Sequence, residues 1–358
     1  MFPSHRFSVQ LSLFSLALCL FVSGCNEAVP PTDPRLYQGR LPDIRVKVSD
    51  RSINSLAIAP GENGIAVSAS DGWIYFLSND LKIIREVSIG PSAGAMTFTP
   101  DGKKLMAVME DDTKEDEHGQ NRIFEIEVID TDTGKVIQHM GRSTGYSLDE
   151  IACSHSGRFL AIRGDPLRIF DIETGVETGR WDWFANSPVA GAGLVFSGDD
   201  QLLYCGGAIL PVSADGKFDT RHVGNLSIGG NLTTVTPEGE HWLSVLDWNP
   251  RFMGTGYQAA KLFKGDVAGG ACKATWILKY PESDKNFVAI QASHHGQVLL
   301  TELMGDVVIH NANDGGIEEV LKGNVTLQAA AFSADEHSVY GIDFGGFVCQ
   351  WRLQDPPH

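Results

Sequence analysis

A four-residue turn recurs along this chain, and its spacing constrains the fold more than any other feature. The copies are Ala59-Pro60-Gly61-Glu62, Thr99-Pro100-Asp101-Gly102, Ser154-His155-Ser156-Gly157, Ser197-Gly198-Asp199-Asp200, Thr236-Pro237-Glu238-Gly239, Ser293-His294-His295-Gly296 and Ser333-Ala334-Asp335-Glu336. Their first residues lie 40, 55, 43, 39, 57 and 40 positions apart. Repetition on that scale marks an array of small units, none of which can bury its apolar face alone.

Each turn follows a run such as SLAIA, AMTFT, GLVFS or QAAAFS and precedes another such as GIAVSA, KKLMAV, RFLAIR, QLLYCG or HSVYGI. The runs are short, alternating or wholly apolar, and bounded by turn residues, which predicts strands and not helices. A third run follows, as in WIYFLS, FEIEVID, LRIFDI, DVVIHN and FVCQWRL. A turn such as Asp130-Thr131-Asp132-Thr133-Gly134 or Asp171-Ile172-Glu173-Thr174-Gly175 then leads to a fourth. Four strands per repeat is the blade of a β-propeller. The last unit stops at its third strand, and residues 43–48 (DIRVKV) form a lone strand before the first unit. Supplying the missing fourth strand from the N-terminus closes the ring and leaves no long unpaired edge. The expectation is an all-β, seven-bladed propeller of four-stranded blades over residues 44–358, closed by an N-terminal strand that completes the last blade.

IAVSASDGWIYFLSND and FLAIRGDPLRIFDIETG resemble the second half of WD40-type repeats, and TFTPDGKKLMAV resembles their first-to-second strand junction. The resemblance spans roughly 44–353, without a full Gly-His opening or a literal Trp-Asp ending, and is to divergent bacterial WD40-like or YVTN-like propellers. It implies a structural role for Asp71, Asp165, Asp306 and Asp343, each at or beside a second-to-third-strand turn, in ordering neighbouring loops.

The N-terminus carries an address. Arg6 is followed by an uncharged stretch, 7–24, rich in Leu, Phe and Val and closed by Ser23-Gly24, the layout of a secretory signal. Val22-Ser23-Gly24-Cys25 resembles the bacterial lipobox, which implies that Cys25 is acylated and becomes the mature N-terminus. An uncleaved anchor would be marginal in length for a bilayer and is interrupted by Ser8, Gln10, Ser12 and Ser15. Residues 26–43 hold Pro30, Pro31, Pro34 and Pro42, and an extended proline-rich spacer of that length reaches roughly 55 Å. The expected division is therefore 1–24 signal peptide, 25–43 lipidated tether and 44–358 propeller, outside the cytoplasm as a periplasmic or cell-surface lipoprotein.

Composition adds exclusions. A formal charge of −17 opposes sequence-independent binding of nucleic acid, which needs a positive surface. The 39 glycines among 358 residues exceed the usual ~7% and report many tight turns. Cys153, Cys205, Cys272 and Cys349 remain after the signal and the lipid site are set aside, far apart and without a CxxC pair, so single buried thiols are expected.

No linear catalytic signature emerges. Gly224-Asn225-Leu226-Ser227-Ile228-Gly229 is not a nucleophile elbow, and HExxH is absent. The acidic stretch 110–117 (EDDTKEDE) reads as a solvated loop, Asp130-x-Asp132-x-Gly134 as an Asx-type turn, and His294-His295 as turn residues. No metal site, catalytic residue or cofactor is assigned. Candidate binding residues come from two loops on the rim that carries the second-to-third-strand turns: Trp183 and Phe184 in one, Trp248, Arg251, Phe252 and Tyr257 in the other. Aromatics and Arg are the types that carry interface energy, and loops are where rigid scaffolds place function. The reading is a membrane-anchored, non-enzymatic scaffold for a protein, peptide or glycan. The alternative is a lactonase- or lyase-like propeller enzyme with a site at the channel mouth.

Overall fold

The structure is a computed structural model. It describes residues 33–353 apart from 62–63, 112–122, 145–149, 165, 183–192, 206–207, 220, 222–223, 226–231, 237–240, 249–257, 267–271, 281–286, 303–304 and 324. The candidate residues Cys25, Trp183, Phe184, Arg251, Phe252 and Tyr257 lie outside the described residues.

The strands form antiparallel sheets in sequence order, each a meander. The sheets span 53–88, 92–144, 150–181, 194–225, 232–280, 287–322 and 327–352, called blades 1 to 7 here. The innermost strands are Ile53–Ile58, Ser92–Phe98, Glu150–Cys153, Leu194–Phe196, Leu232–Val235, Phe287–Ala292 and Leu327–Phe332. Each touches the next, and Leu327–Phe332 touches Ile53–Ile58, so the chain closes into a β-propeller.

Blade 4 corrects the expectation of seven full four-stranded blades. In six sheets the outermost strand has four residues or more, but in blade 4 it is, among the described residues, Gly224–Asn225, paired to Ala208 and Ile209. The cause is local. After the third strand, Ala208–Pro211, the chain folds back on itself through a Val212↔Phe218 bridge. Ser213 Oγ accepts from the Lys217 amide and donates to Asp215, which holds that turn in place. Residues 212–218 are thus folded into a small hairpin between the third strand and the described part of the outermost one.

Blade 7 is completed from the N-terminus. Ile44–Lys47 pairs antiparallel with Phe347–Arg352, in the register Ile44↔Gln350 to Lys47↔Phe347. Upstream of that strand the chain does not stand free. Asp33 caps a 3-10 helix, Pro34–Tyr37, whose Leu36 is buried against Ile317 and Val320 of blade 6. Arg40 forms a parallel bridge with Leu321 and pairs with Glu319 and Asp43. Residues 33–43, within the stretch expected as a spacer, are thus a strap across the outer edge of blades 6 and 7.

Apolar side chains of neighbouring blades make the core. Distinct clusters join blades 1 and 2, 2 and 3, 3 and 4, 5 and 6, 6 and 7, and 7 and 1. Trp181 packs between blades 3 and 4, and Trp351, fully buried, between 6 and 7. Burying a large side chain contributes about 1.5–3 kcal/mol, so each blade is stabilised mainly by its neighbours. Cys205 and Cys349 are buried free thiols and Cys153 is a half-buried one. Burial pushes them up to about 12, 11 and 12 respectively, which leaves them protonated and unreactive.

Candidate functional site

A four-stranded meander places its turns on two rims. First-to-second and third-to-fourth turns share one rim, and second-to-third turns share the other with the links between blades.

The first rim is closed on itself. Thr99 Oγ1 donates to Asp101 at 2.7 Å, Ser197 Oγ to Asp199 at 2.6 Å and Ser333 Oγ to Asp335 at 2.5 Å, so three copies of the recurring turn share one bond. Two copies also clasp the blade before their own. Asp200 and Glu336, the fourth residues of their turns, adopt left-handed backbone (φ 59 and 57) and reach the preceding blade. Asp200 accepts from the His155 and Ser156 amides at 2.7 and 2.8 Å. Glu336 accepts from the His294 amide at 2.8 Å and meets Nδ1 of His294 and of His295 at 2.8 and 2.6 Å. Burial works against the charge on Glu336, but these bonds prevail and hold its carboxyl below the usual range. The two histidines are therefore turn residues that brace neighbouring blades. Asp130 and Asp171 act within their own turns, each accepting from the amide and hydroxyl of the Thr three residues on, beside Gly134 and Gly175 at positive φ.

The second rim is the one to which the sequence assigns the candidate loops. Its short turns are tight because the links between blades cross them. The Ile89 amide donates to Gly72 O, the Val48 amide to Gly346 O and the Gly323 amide to Gly305 O. All three glycines have positive φ, and a Cβ would lie 1.6 Å from Gly90 O at Gly72, and 2.0 Å from Ser49 O and Val325 O at Gly346 and Gly305. The adjacent aspartates behave as the resemblance implies. Asp343, buried, accepts from the Gly345 and Phe347 amides and pairs with Arg45, which also lies over the Phe347 ring. Asp71 accepts from Ser49 Oγ, and Asp306 pairs with Lys322 at 2.6 Å. Asp165 lies outside the described residues.

Of the candidate binding residues, Trp248 is described in backbone only, as the last residue of His241–Trp248 paired to Ala259, at the second rim. Of the acidic stretch 110–117, Glu110 and Asp111 belong to the strand Lys104–Asp111, with Asp111 buried, and the rest lies outside the described residues. Two aromatics on the same rim carried no weight in the sequence reading. Trp73 and Phe344 follow the aspartate of the second-to-third turn in the neighbouring blades 1 and 7, and both are solvent-exposed. Their signal was the pattern Asp-Gly-Trp at 71–73 and Asp-Phe-Gly-Gly at 343–346, an aromatic where a turn wants only small residues.

Polar groups along the innermost strands are committed to neighbouring blades. Asn54 Nδ2 donates to Ala93 O, Gln328 Nε2 to Ser52 Oγ, the Phe332 amide to Gln291 Oε1, and the Gly193 amide to Glu150, which also pairs with Arg163. No family model matches the sequence, and no curated protein matches it.

Proposed function

We propose that this protein is a membrane-anchored, extracytoplasmic lipoprotein whose propeller is a non-enzymatic scaffold binding a protein, peptide or glycan. One observation carries the binding reading: Asn54, Gln291, Gln328 and Glu150 on the inner strands are engaged in bonds between blades, while Trp73 and Phe344 stand exposed side by side in blade order on the loop rim. Groups engaged in holding blades together are poorly placed to move protons on a substrate, whereas exposed aromatics on a rigid rim suit recognition. Trp183, Phe184, Trp248, Arg251, Phe252 and Tyr257, which the sequence assigns to loops of that rim, would extend the surface. The anchor reading rests on the lipobox at Val22–Cys25 in the sequence.

The test is capture of ligands from envelope extracts by the intact protein, a W73A/F344A double variant and a His155→Ala variant on the opposite rim. Loss of the bound species in the double variant alone is the expected result. Equal retention by all three, or turnover of a lactone or sugar-acid panel, would overturn the reading.

A further inference from the structure

The strap at 33–43 ends close to the proposed lipid site, and this limits how the propeller can sit. From Cys25 to Asp33 is eight residues, at most roughly 29 Å of fully extended chain. Asp33 is already on the propeller, because the strap beyond it is docked by Leu36, by Arg35 donating to Ile317 O, and by Lys322 Nζ donating to Leu36 O at 3.0 Å. The edge of blades 6 and 7 is therefore the part of the ring held nearest the bilayer, and blade 3 lies across the ring from it.

That edge presents apolar groups outward. Tyr37 is 66% exposed and Leu41 56%, on either side of the residues that bind the strap down. The basic groups around them are each paired with an acid: Arg35 with Asp33, Arg40 with Glu319 and Asp43, Lys322 with Asp306. A short tether keeps this edge at high effective concentration beside the membrane, so a weak contact is enough to orient the ring. Tyr is suited to the headgroup level, and Leu to the acyl boundary just below.

We propose that Tyr37 and Leu41 of the strap contact the lipid bilayer directly, seating the propeller edge-on at blades 6 and 7 with its loop rim turned sideways and open. The inference rests on acylation at Cys25. Because the neighbouring cations are already paired, the contact is apolar and does not depend on anionic lipid, in contrast to a polybasic membrane patch.

The experiment uses the full acylated chain in vesicles of phosphatidylcholine, with and without phosphatidylglycerol. Nitroxide labels are placed through Tyr37→Cys, Leu41→Cys and, as a control on blade 3, Val176→Cys, a position 58% exposed in the structure. Labels at 37 and 41 are expected to lose access to an aqueous relaxation agent by about threefold or more on vesicle binding, as a buried interfacial group does, and to do so in both lipid mixtures. The label at 176 stays accessible. Equal accessibility at all three positions overturns the orientation, and protection that appears only with phosphatidylglycerol overturns the apolar contact. Fractionation of the unlabelled chain beside Cys25→Ser separates the two ideas. If the intact chain fails to reach the membrane, the anchor reading falls; if it does reach it and the labels are equal, only the orientation falls.

Discussion

Blades 4 and 7 begin from similar sequence and finish differently. Both have a Ser-x-Asp turn with the Ser hydroxyl on the Asp carboxylate, and both place a tyrosine seven residues after that Ser, Tyr204 and Tyr340. Tyr340 Oη donates to Asn79 O of blade 1 across the interface. Tyr204 Oη is buried with no hydrogen-bond partner among the described residues. Blade 7 has an outermost strand of four residues supplied from the other end of the chain, whereas the described residues of blade 4 show two. Clusters of apolar side chains flank blade 7 on both sides, but the described residues show one beside blade 4 only where it meets blade 3. A repeat unit is thus specified locally, while its stability depends on what its neighbours and the chain ends supply.

The largest effect that tests this contrast is removal of residues 1–48. Blade 7 then loses its outermost strand, and the cluster shared with blade 1 loses Ile44, Val46 and Val48. The expected outcome in thermal unfolding is loss of a single cooperative transition, with exposed apolar surface reported by a hydrophobic dye. A transition like that of the intact chain would show that ring closure contributes little.

A smaller effect should come from His310 of blade 6, which is fully buried, with Nδ1 3.2 Å from Gly315 O. Burial lowers its pKa from 6.5 to about 4, and the Gly315 carbonyl only partly opposes this. Above pH 6.5 it is neutral whether folded or not and adds no pH dependence. As pH falls from 6.5 towards 4 the unfolded chain takes up a proton that the native state refuses, so stability is lost by up to roughly 3 kcal/mol. Urea midpoints of the intact protein and His310→Asn should therefore converge on acidification. Parallel pH profiles would show that His310 is not buried as a neutral ring.

The smallest effect compares the two tyrosines. Tyr340→Phe removes a bond between blades and should cost about 1 kcal/mol, whereas Tyr204→Phe removes a buried hydroxyl and should be neutral or slightly stabilising. Equal costs in urea unfolding would mean that Tyr204 has a partner of equivalent strength.

Much of the architecture was legible because its signals are local. The turn Thr99-Pro100-Asp101-Gly102 and its six relatives lie between first and second strands, and in three of them a Ser or Thr hydroxyl bonded to the Asp two residues on specifies the turn locally. The role of Asp343 was legible for the same reason, its amide partners being two and four residues away. The rim aromatics Trp73 and Phe344 were harder to see, because Trp73 also reads as the first residue of an apolar strand and only the ring reveals its exposure.

By itself the sequence determined the repeat, its turns and the four-stranded order of most blades, because hydrogen bonds over two to five residues and alternation along a strand need no distant partner. It also carries Val22-Ser23-Gly24-Cys25, a written motif that resembles the lipobox. Only the tertiary structure decided that blade 4 carries a hairpin at Val212–Phe218, that Asp200 and Glu336 clasp the preceding blade, and that residues 33–43 lie on blades 6 and 7. Those outcomes depend on which surfaces remain uncovered once the ring has closed, and no stretch of the chain encodes that alone.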